Sequence, residues 1–179
     1  YPLKGLHQVL KAMPIILRHY PDAMIRIAGW DITRNETLSQ KIRLSGYGSY
    51  IKRLIMKLNL QDKVQFTGNL NAEEMKQEYL KSNVFICPSS IENSPNSLGE
   101  AQILGVPCIA SYVGGIADMM IGNEGNLYRF EEIEMLAEKV CNVFEAKDKQ
   151  MDMKAVAAER HNSKVNCDTL YNIYKQIAE

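Results

Sequence analysis

Two carboxylates, Glu92 and Glu100, stand with seven residues between them in the segment Ser89–Gly115. A Ser-Pro-Asn-Ser stretch separates them, and the pattern after it predicts a helix that ends at Leu104-Gly105, then a short apolar strand and a Gly-Gly turn. Diphosphates bind the backbone N–H groups of a helix start, and sugar hydroxyls donate hydrogen bonds to carboxylates. This order of residues therefore fits a site for a nucleotide-sugar.

The start of the predicted helix carries the groups that would meet an anion. We expect Ser94 to be the N-cap, because Pro95 directly after it is typical of a helix start. The N–H groups of Asn96, Ser97 and Leu98 would then face an anion, which the aligned peptide dipoles attract. The competing interpretation, favoured for any isolated helix start, is that Ser94 caps the helix and nothing binds there.

Other polar residues also have two interpretations. Glu100 would accept the ribose hydroxyls, and Glu92 a sugar hydroxyl or the positive charge that develops on the sugar ring; alternatively, both are solvated surface charges. Gly114 and Gly115 permit a close approach of the backbone to a ligand, or form a plain turn. The charge of Lys4 opposes the dipole of the first predicted helix, which suggests a functional reason beside that of a solvated terminal lysine.

Composition and charge restrict the class of protein. The length of 179 residues suggests about one domain. The 21 basic and 21 acidic side chains leave no basic excess of the kind that binds nucleic acid or an anionic membrane. The four cysteines lack metal spacing, and Cys87 and Cys108 lie in apolar runs, which favours buried thiols in a reducing, cytoplasmic compartment. No Asp-x-Asp pair is present to hold a diphosphate-bound metal.

Apolar runs and helical periodicities alternate along the chain. The apolar runs predict strands at Ala23–Gly29, Lys63–Gly68, Val84–Ser89, Val106–Ser111 and Leu127–Phe130. Helices are predicted from Leu6 to Leu17, at Leu38–Leu44 and Tyr50–Leu58, after an Asn71 cap, and at Ile133–Phe144, Met151–Arg160 and Ser163–Ala178. Apolar strands spaced by helices favour an α/β fold with a Rossmann-like parallel sheet and helices on both faces.

In such a sheet, ligands bind at the carboxyl ends of the strands. The loops that follow the predicted strands there are Gly29–Asp31, Gly68–Leu70, Ser89–Ser97 and Ser111–Ile116. The predicted sheet edge and the carboxylate motif therefore coincide.

Taken in order, these residues resemble the C-terminal half of the retaining GT-B glycosyltransferases, the large "group 1" family. The family's signature is Glu, seven residues, Glu-Ala, a helix ending in Gly, x-Pro-x-x-x-Ser and a Gly-Gly turn. It matches Glu92, Glu100, Ala101, Gly105, Pro107, Ser111, Gly114 and Gly115. The family's Lys-Gly helix start matches Lys4-Gly5, and its strands match IRIAG, VQFTG and VFICPS. The resemblance covers roughly Pro2 to Phe144.

The resemblance implies a retaining hexosyltransferase that uses a nucleotide diphosphate sugar and needs neither a metal nor another cofactor. In such enzymes the second glutamate holds the ribose, the first contacts the donor sugar, and the lysine stabilises the negative charge that grows on the departing diphosphate. It thus implies catalytic roles for Lys4 and Glu92 and donor contacts at Glu100, Asn96, Ser97, Leu98, Gly68, Asn69, Leu70, Gly114 and Gly115.

The resemblance also implies a longer protein. The family has an arginine shortly before its lysine, a first strand of the sheet and an N-terminal acceptor domain, and none of them has a counterpart in this chain. We therefore expect residues 1–179 to be one nucleotide-sugar-binding domain that is inactive alone. A glycan or lipid-linked acceptor, and any peripheral membrane contact, would belong to the missing half. Trp30–Leu44 resembles an insertion, and Pro95 stands where many members have glycine.

Two rival functions stay open: a nucleotide-sugar epimerase of the same architecture and a non-catalytic nucleotide-binding module. The match to Glu, seven residues and Glu-Ala favours a transferase over an epimerase. The presence of Lys4, Glu92 and Glu100 together argues against a module that has lost its activity. The base, the sugar and the acceptor are left open by the sequence.

Overall fold

The computed structural model describes residues 1–34, 46–146 and 153–178. Its helices are α1 (Leu6–His19), α2 (Gly46–Lys57), α3 (Ala72–Lys81), α4 (Asn96–Ile103), α5 (Ile116–Met119), α6 (Ile133–Glu145), α7 (Lys154–Arg160) and α8 (Ser163–Ala178). Its strands are β1 (Ile25–Ile27), β2 (Val64–Phe66), β3 (Phe85–Cys87), β4 (Cys108–Ser111) and β5 (Leu127–Tyr128). Each predicted strand contains an observed one, so the predicted α/β alternation is confirmed.

The start of one helix differs from the prediction, and two other predicted helices lie wholly or partly outside the described residues. Helix α2 already includes Gly46, which precedes the predicted start at Tyr50. Tyr47 packs against the core there, so tertiary contacts outweigh the low helix propensity of the flanking glycines. The helix predicted at Leu38–Leu44, and with it most of the predicted insertion, lies outside the described residues, as does the beginning of the helix predicted at Met151–Arg160.

The cap predicted for α3 is confirmed. The Asn71 side chain accepts a hydrogen bond from the Glu74 N–H at 2.9 Å, and the Glu74 carboxylate accepts one from the Asn71 N–H at 2.8 Å. This reciprocal capping box satisfies two N–H groups that the first turn would otherwise leave without acceptors.

The strands pair in parallel, as predicted. In β1 and β2, Ile25 lies opposite Val64; Phe85 of β3 lies opposite Cys108 of β4, and Ala110 of β4 lies opposite Leu127 of β5. The pairs form two ladders, β1–β2 and β3–β4–β5, rather than one continuous sheet. Within the described ranges, the second edge of β1 and the second edge of β3 have no strand partner.

Two hydrophobic clusters cover the two faces of the β3–β4–β5 ladder. Strand β4 shows the alternation, because Ile109 belongs to one cluster and Cys108 and Ala110 belong to the other. The first cluster takes its helical side chains from α1, α2 and α6, and the second from α3, α4 and α5. Ile25 and Val64 pack against the first cluster, so one core joins both ladders. The helices therefore cover both faces, as predicted.

A buried polar cluster holds α4 against α5 and α7. Gln102 of α4 is 0% exposed, and its Nε2 donates to the Met119 carbonyl at 2.9 Å. Arg160 donates through Nη1 to the same carbonyl at 2.9 Å and through Nη2 to Gln102 Oε1. A Cβ on Gly99 would lie 2.5 Å from His161 Nε2, so the glycine allows the end of α7 to approach α4 closely.

Helix α8 lies apart from both clusters. None of its residues is buried, and it exposes Leu170, Tyr171, Tyr174 and Ile177. Among the described residues, no helix has the length and the apolar character needed to cross a membrane.

Candidate functional site

The two predicted catalytic residues meet at the loop that follows β3. Lys4 Nζ forms an ion pair and hydrogen bond with Glu92 Oε1, although 88 positions separate the two residues. The Glu92 side chain is 14% exposed and that of Lys4 is 65% exposed. Ser89 Oγ donates to the same Glu92 oxygen at 3.3 Å. The carboxylate is therefore held from two sides, while the ammonium group stays accessible to a ligand.

Gly5 brings Lys4 to this loop. It has a φ of +70°, which is the left-handed region, and a Cβ there would lie 1.6 Å from the carbonyl oxygen of Pro88. The Ser90 N–H donates to the carbonyl of Leu3 at 2.8 Å, which ties the first turn of the chain to the same loop. The Lys4-Gly5 pair therefore docks the start of the chain against the loop after β3, because only glycine permits this backbone contact.

The Gly-Gly turn supports the same loop from the other side. A Cβ on Gly114 would lie 1.9 Å from the Glu92 carbonyl oxygen, and one on Gly115 would lie 2.3 Å from that of Asn93. Ser111, buried at the end of β4, donates to the Ser89 carbonyl at 2.5 Å. Both glycines therefore allow the turn to pack closely against the backbone of the loop after β3. Their predicted contact with the donor stays a prediction.

The start of α4 differs in detail from the prediction. Pro95, not Ser94, is the N-cap, and no side chain of the described residues caps the helix. Ser94 Oγ lies 3.8 Å from Met119 Sδ, so it points towards α5 rather than towards the first turn. The Leu98 N–H, predicted to be free, donates to the Pro95 carbonyl at 3.0 Å, and the Leu98 side chain is buried in the core.

Two N–H groups of the first turn remain available for an anion. Neither the N–H of Asn96 nor that of Ser97 has a hydrogen-bond acceptor among the described residues. Asn96 is exposed and Ser97 is half-buried. The turn can therefore still offer two adjacent donors to a phosphate group.

Glu100 lies one turn further along α4, and a residue that the sequence did not single out holds it. The Tyr79 hydroxyl of α3 donates to Glu100 Oε2 at 3.0 Å and lies 3.2 Å from the carbonyl oxygen of Ser97. Burial, reinforced by this hydrogen bond to Glu100, raises the pKa of Tyr79. In sequence, Tyr79 is one apolar position of an amphipathic helix, which is the usual signal of a core residue and carries no sign of a contact with Glu100.

The third predicted donor segment, Gly68, Asn69 and Leu70, lies at the end of β2. Gly68 and Gly29 exchange backbone hydrogen bonds of 3.1 and 3.0 Å across the ends of the two strands. Gly68 has a φ of +79°, and a Cβ there would meet no atom of the described residues within 4 Å. No hydrogen bond or ion pair in the described ranges joins this segment to Glu92 or to α4, so its contact with the donor stays a prediction.

The arrangement places a cation, a carboxylate and free N–H groups in and beside one loop. Such a set can bind a diphosphate, orient a sugar and stabilise negative charge on a leaving group. Among the described residues, no three His, Cys, Asp or Glu side chains are grouped to hold a metal ion. A separate groove of about 510 Å³, lined in part by Tyr112, Asp118 and Arg129, contains none of the predicted site residues.

The sequence profile of the family described as "Glycosyl transferases group 1" matches residues 1–160. The chain belongs to the group 1 glycosyltransferases. This group 1 chain is 31% identical over 121 residues to the putative glycosyltransferase YtcC of Bacillus subtilis, covering 66% of this chain and 28% of that protein. It is 26% identical over 184 residues to the D-inositol 3-phosphate glycosyltransferase of Corynebacterium urealyticum, covering 99% of this chain and 39% of that protein. The chain therefore spans less than half the length of these curated relatives.

Solved structures of glycosyltransferases share the fold. The structure of Anabaena Alr3699/HepE in complex with UDP-glucose matches with a TM-score of 0.76 at 22% identity, over 96% of this chain and 46% of that chain. This likeness shows the fold of this group 1 domain, a Rossmann-like α/β domain like those of GT-B glycosyltransferases.

Proposed function

We propose that this chain is the donor-binding domain of a retaining, metal-independent glycosyltransferase. It would transfer a hexosyl group from a nucleotide diphosphate sugar to a glycan or lipid-linked glycan in the cytoplasm. The observation that carries the proposal is the contact between Lys4 and Glu92 beside the start of α4. The acceptor would bind to a part of the protein outside residues 1–179.

The charges of Lys4 and Glu92 complement those that develop on the two sides of the bond between sugar and diphosphate when it breaks. Before the donor binds, Glu92 orients the Lys4 ammonium group and satisfies its charge. When the sugar leaves its nucleotide, negative charge grows on the diphosphate and positive charge grows on the sugar ring. Lys4 would stabilise the first charge and Glu92 the second, in positions that the loop sets before the reaction.

The remaining groups would bind the constant part of the donor. The free N–H groups of Asn96 and Ser97 would take the diphosphate, as helix starts do with other phosphates. Glu100 would accept hydrogen bonds from the ribose hydroxyls. Because UDP, GDP and ADP all carry ribose, while a free nucleoside diphosphate lacks the sugar that Glu92 would contact, Glu100→Ala should weaken binding of nucleoside diphosphate more than Glu92→Ala does.

The names of related proteins support this class of donor. A relative from Corynebacterium glutamicum, 26% identical over 152 residues, is named a GDP-mannose-dependent mannosyltransferase. The Anabaena protein was solved with UDP-glucose. These donors differ in base and in sugar, so the relatives favour a nucleotide diphosphate hexose and leave open which one.

Turnover by the intact protein tests the proposal. UDP-, GDP- and ADP-hexoses would be incubated with a panel of glycans and lipid-linked glycans, with and without EDTA, and the released nucleoside diphosphate measured. We expect release from one donor, no effect of EDTA and a product whose anomeric configuration, read by NMR, equals that of the donor. Lys4→Met should remove most of the turnover, whereas Lys11→Met, an exposed lysine on α1, should keep it.

Each part of the proposal has an outcome that contradicts it. No release from any donor would contradict the transferase itself. An inverted product would contradict retention, and loss of activity in EDTA would contradict metal independence. An epimerised sugar without transfer would support the rival epimerase function.

A further inference from the structure

The ring of Tyr79 is buried, and its hydroxyl reaches the exposed carboxylate of Glu100. Its residue is 3% exposed, and its ring packs edge-on against Phe85 at a centroid distance of 5.5 Å. Its hydroxyl is within hydrogen-bond distance of Glu100 Oε2, at 3.0 Å, and of the Ser97 carbonyl oxygen, at 3.2 Å. A hydroxyl has one hydrogen to donate, so these two acceptors on α4 share it.

This contact leaves Glu100 able to bind a ligand. Glu100 is exposed, and its Oε1 has no hydrogen-bond donor among the described residues. Each carboxylate oxygen can accept two hydrogen bonds, so the bond from Tyr79 uses a small part of the capacity of Glu100. The carboxylate is therefore fixed on one side and open on the other.

Fixing an exposed glutamate before the ligand arrives has a physical advantage. A free glutamate samples several rotamers, and a ligand that selects one of them pays the lost conformational entropy. A side chain held in its binding rotamer beforehand removes part of that cost and so increases affinity. A tyrosine hydroxyl is protonated at physiological pH, and burial together with the hydrogen bond to Glu100 raises the pKa of Tyr79 further, so the hydroxyl remains a donor.

We propose that Tyr79 is a positioning residue that holds the Glu100 carboxylate in the orientation that accepts the ribose hydroxyls of the donor. The proposal rests on the ribose-binding role of Glu100 in the proposed function. It predicts that the contribution of Tyr79 to affinity is specific for ligands that carry ribose hydroxyls.

The test compares Tyr79→Phe with Tyr128→Phe. Tyr128 is also buried, at 1% exposure, but its hydroxyl has no hydrogen-bond partner among the described residues. Each substitution removes one oxygen atom and leaves the aromatic ring in place, so both proteins should fold, which circular dichroism checks. Calorimetry on the intact protein would measure binding of UDP, GDP and ADP, each beside its 2′,3′-dideoxy analogue.

We expect Tyr79→Phe to weaken binding of the preferred ribonucleotide by about twofold to tenfold, the cost of immobilising one flexible side chain when the ligand binds. Binding of the dideoxy analogue should not change, and Tyr128→Phe should bind both ligands like the wild type. An undiminished preference for ribose in Tyr79→Phe would overturn the inference, and so would equal weakening of both ligands, which indicates general support of α4. If the wild type does not distinguish ribose from dideoxyribose, the assigned role of Glu100 fails first, and the inference fails with it.

Discussion

Gly5→Ala should destabilise the protein by roughly 2–5 kcal/mol, the sum of two costs that the structure separates. Gly5 has a φ of +70°, and left-handed backbone costs an alanine roughly 1–2 kcal/mol. The added methyl group would also lie 1.6 Å from the Pro88 carbonyl oxygen, so the loop must move. Forced repacking of this kind typically costs about 1–3 kcal/mol.

Gly105→Ala is the matched control for the backbone cost. Gly105 has a nearly equal φ of +74°, but a Cβ there meets no atom of the described residues within 4 Å. We expect it to lose roughly 1–2 kcal/mol from the left-handed backbone alone. Urea unfolding of the two variants measures the difference. Equal free energies of unfolding for both variants would contradict this expectation, because the contact with Pro88 would then cost nothing.

The same substitution should affect function. Because Lys4 directly precedes Gly5, a shift of the turn away from Pro88 moves the ammonium group away from Glu92. Gly5→Ala should therefore lose nucleoside diphosphate release as Lys4→Met does, whereas Gly105→Ala should keep it at temperatures where both proteins are folded. Wild-type release by folded Gly5→Ala would contradict the docking role of the Lys-Gly pair.

Two further predictions concern stability. Arg160→Met leaves the buried Gln102 Oε1 without its donor, so urea unfolding should show a loss of about 1–3 kcal/mol in the free energy of unfolding. Arg129→Met, which removes an exposed ion pair, should lose at most about a few tenths of a kcal/mol. Equal losses would contradict the role of the buried polar cluster. Burial, with the nearby Lys11 ammonium adding to it, lowers the pKa of His7. His7 therefore binds a proton more readily in the unfolded chain than in the folded protein. The stability that neutral His7 contributes is fully present above a pH of about 6.5 and is lost as the pH falls through the lower pKa of the folded state. Urea unfolding at pH 7.5 and 5.5 should show a larger loss for the wild type than for His7→Gln, and equal losses would contradict the assignment.

The local elements could be predicted from the sequence because their causes are local. The apolar run Val84–Ser89 contains β3, and Asn71 caps α3 where the pattern of polar residues placed it. The cap of α4 is the exception. A serine before a proline suggests an N-cap, but Ser94 turns towards Met119, a residue far along the chain.

The candidate site could be predicted as a set of residues but not as a geometry. Lys4 and Glu92 were each singled out by chemistry, yet their contact depends on the docking of Gly5 against Pro88, which no spacing reveals. The glycines show this most clearly. Glycine is favoured where the backbone approaches a ligand closely and also where two loops are in close contact, so the residue type alone does not distinguish the two roles. The role of Tyr79 could not be predicted for a similar reason, since its hydroxyl reaches from α3 to Glu100 on α4.

Calorimetric titration of the intact protein with UDP, GDP and ADP, with and without EDTA, tests the proposed donor site most directly. We expect one of them to bind at a single site, unaffected by EDTA, and Glu100→Ala to weaken this binding more than Glu92→Ala. Failure of all three nucleotides to bind, or binding that Glu100→Ala leaves unchanged, would contradict the donor site described for this chain.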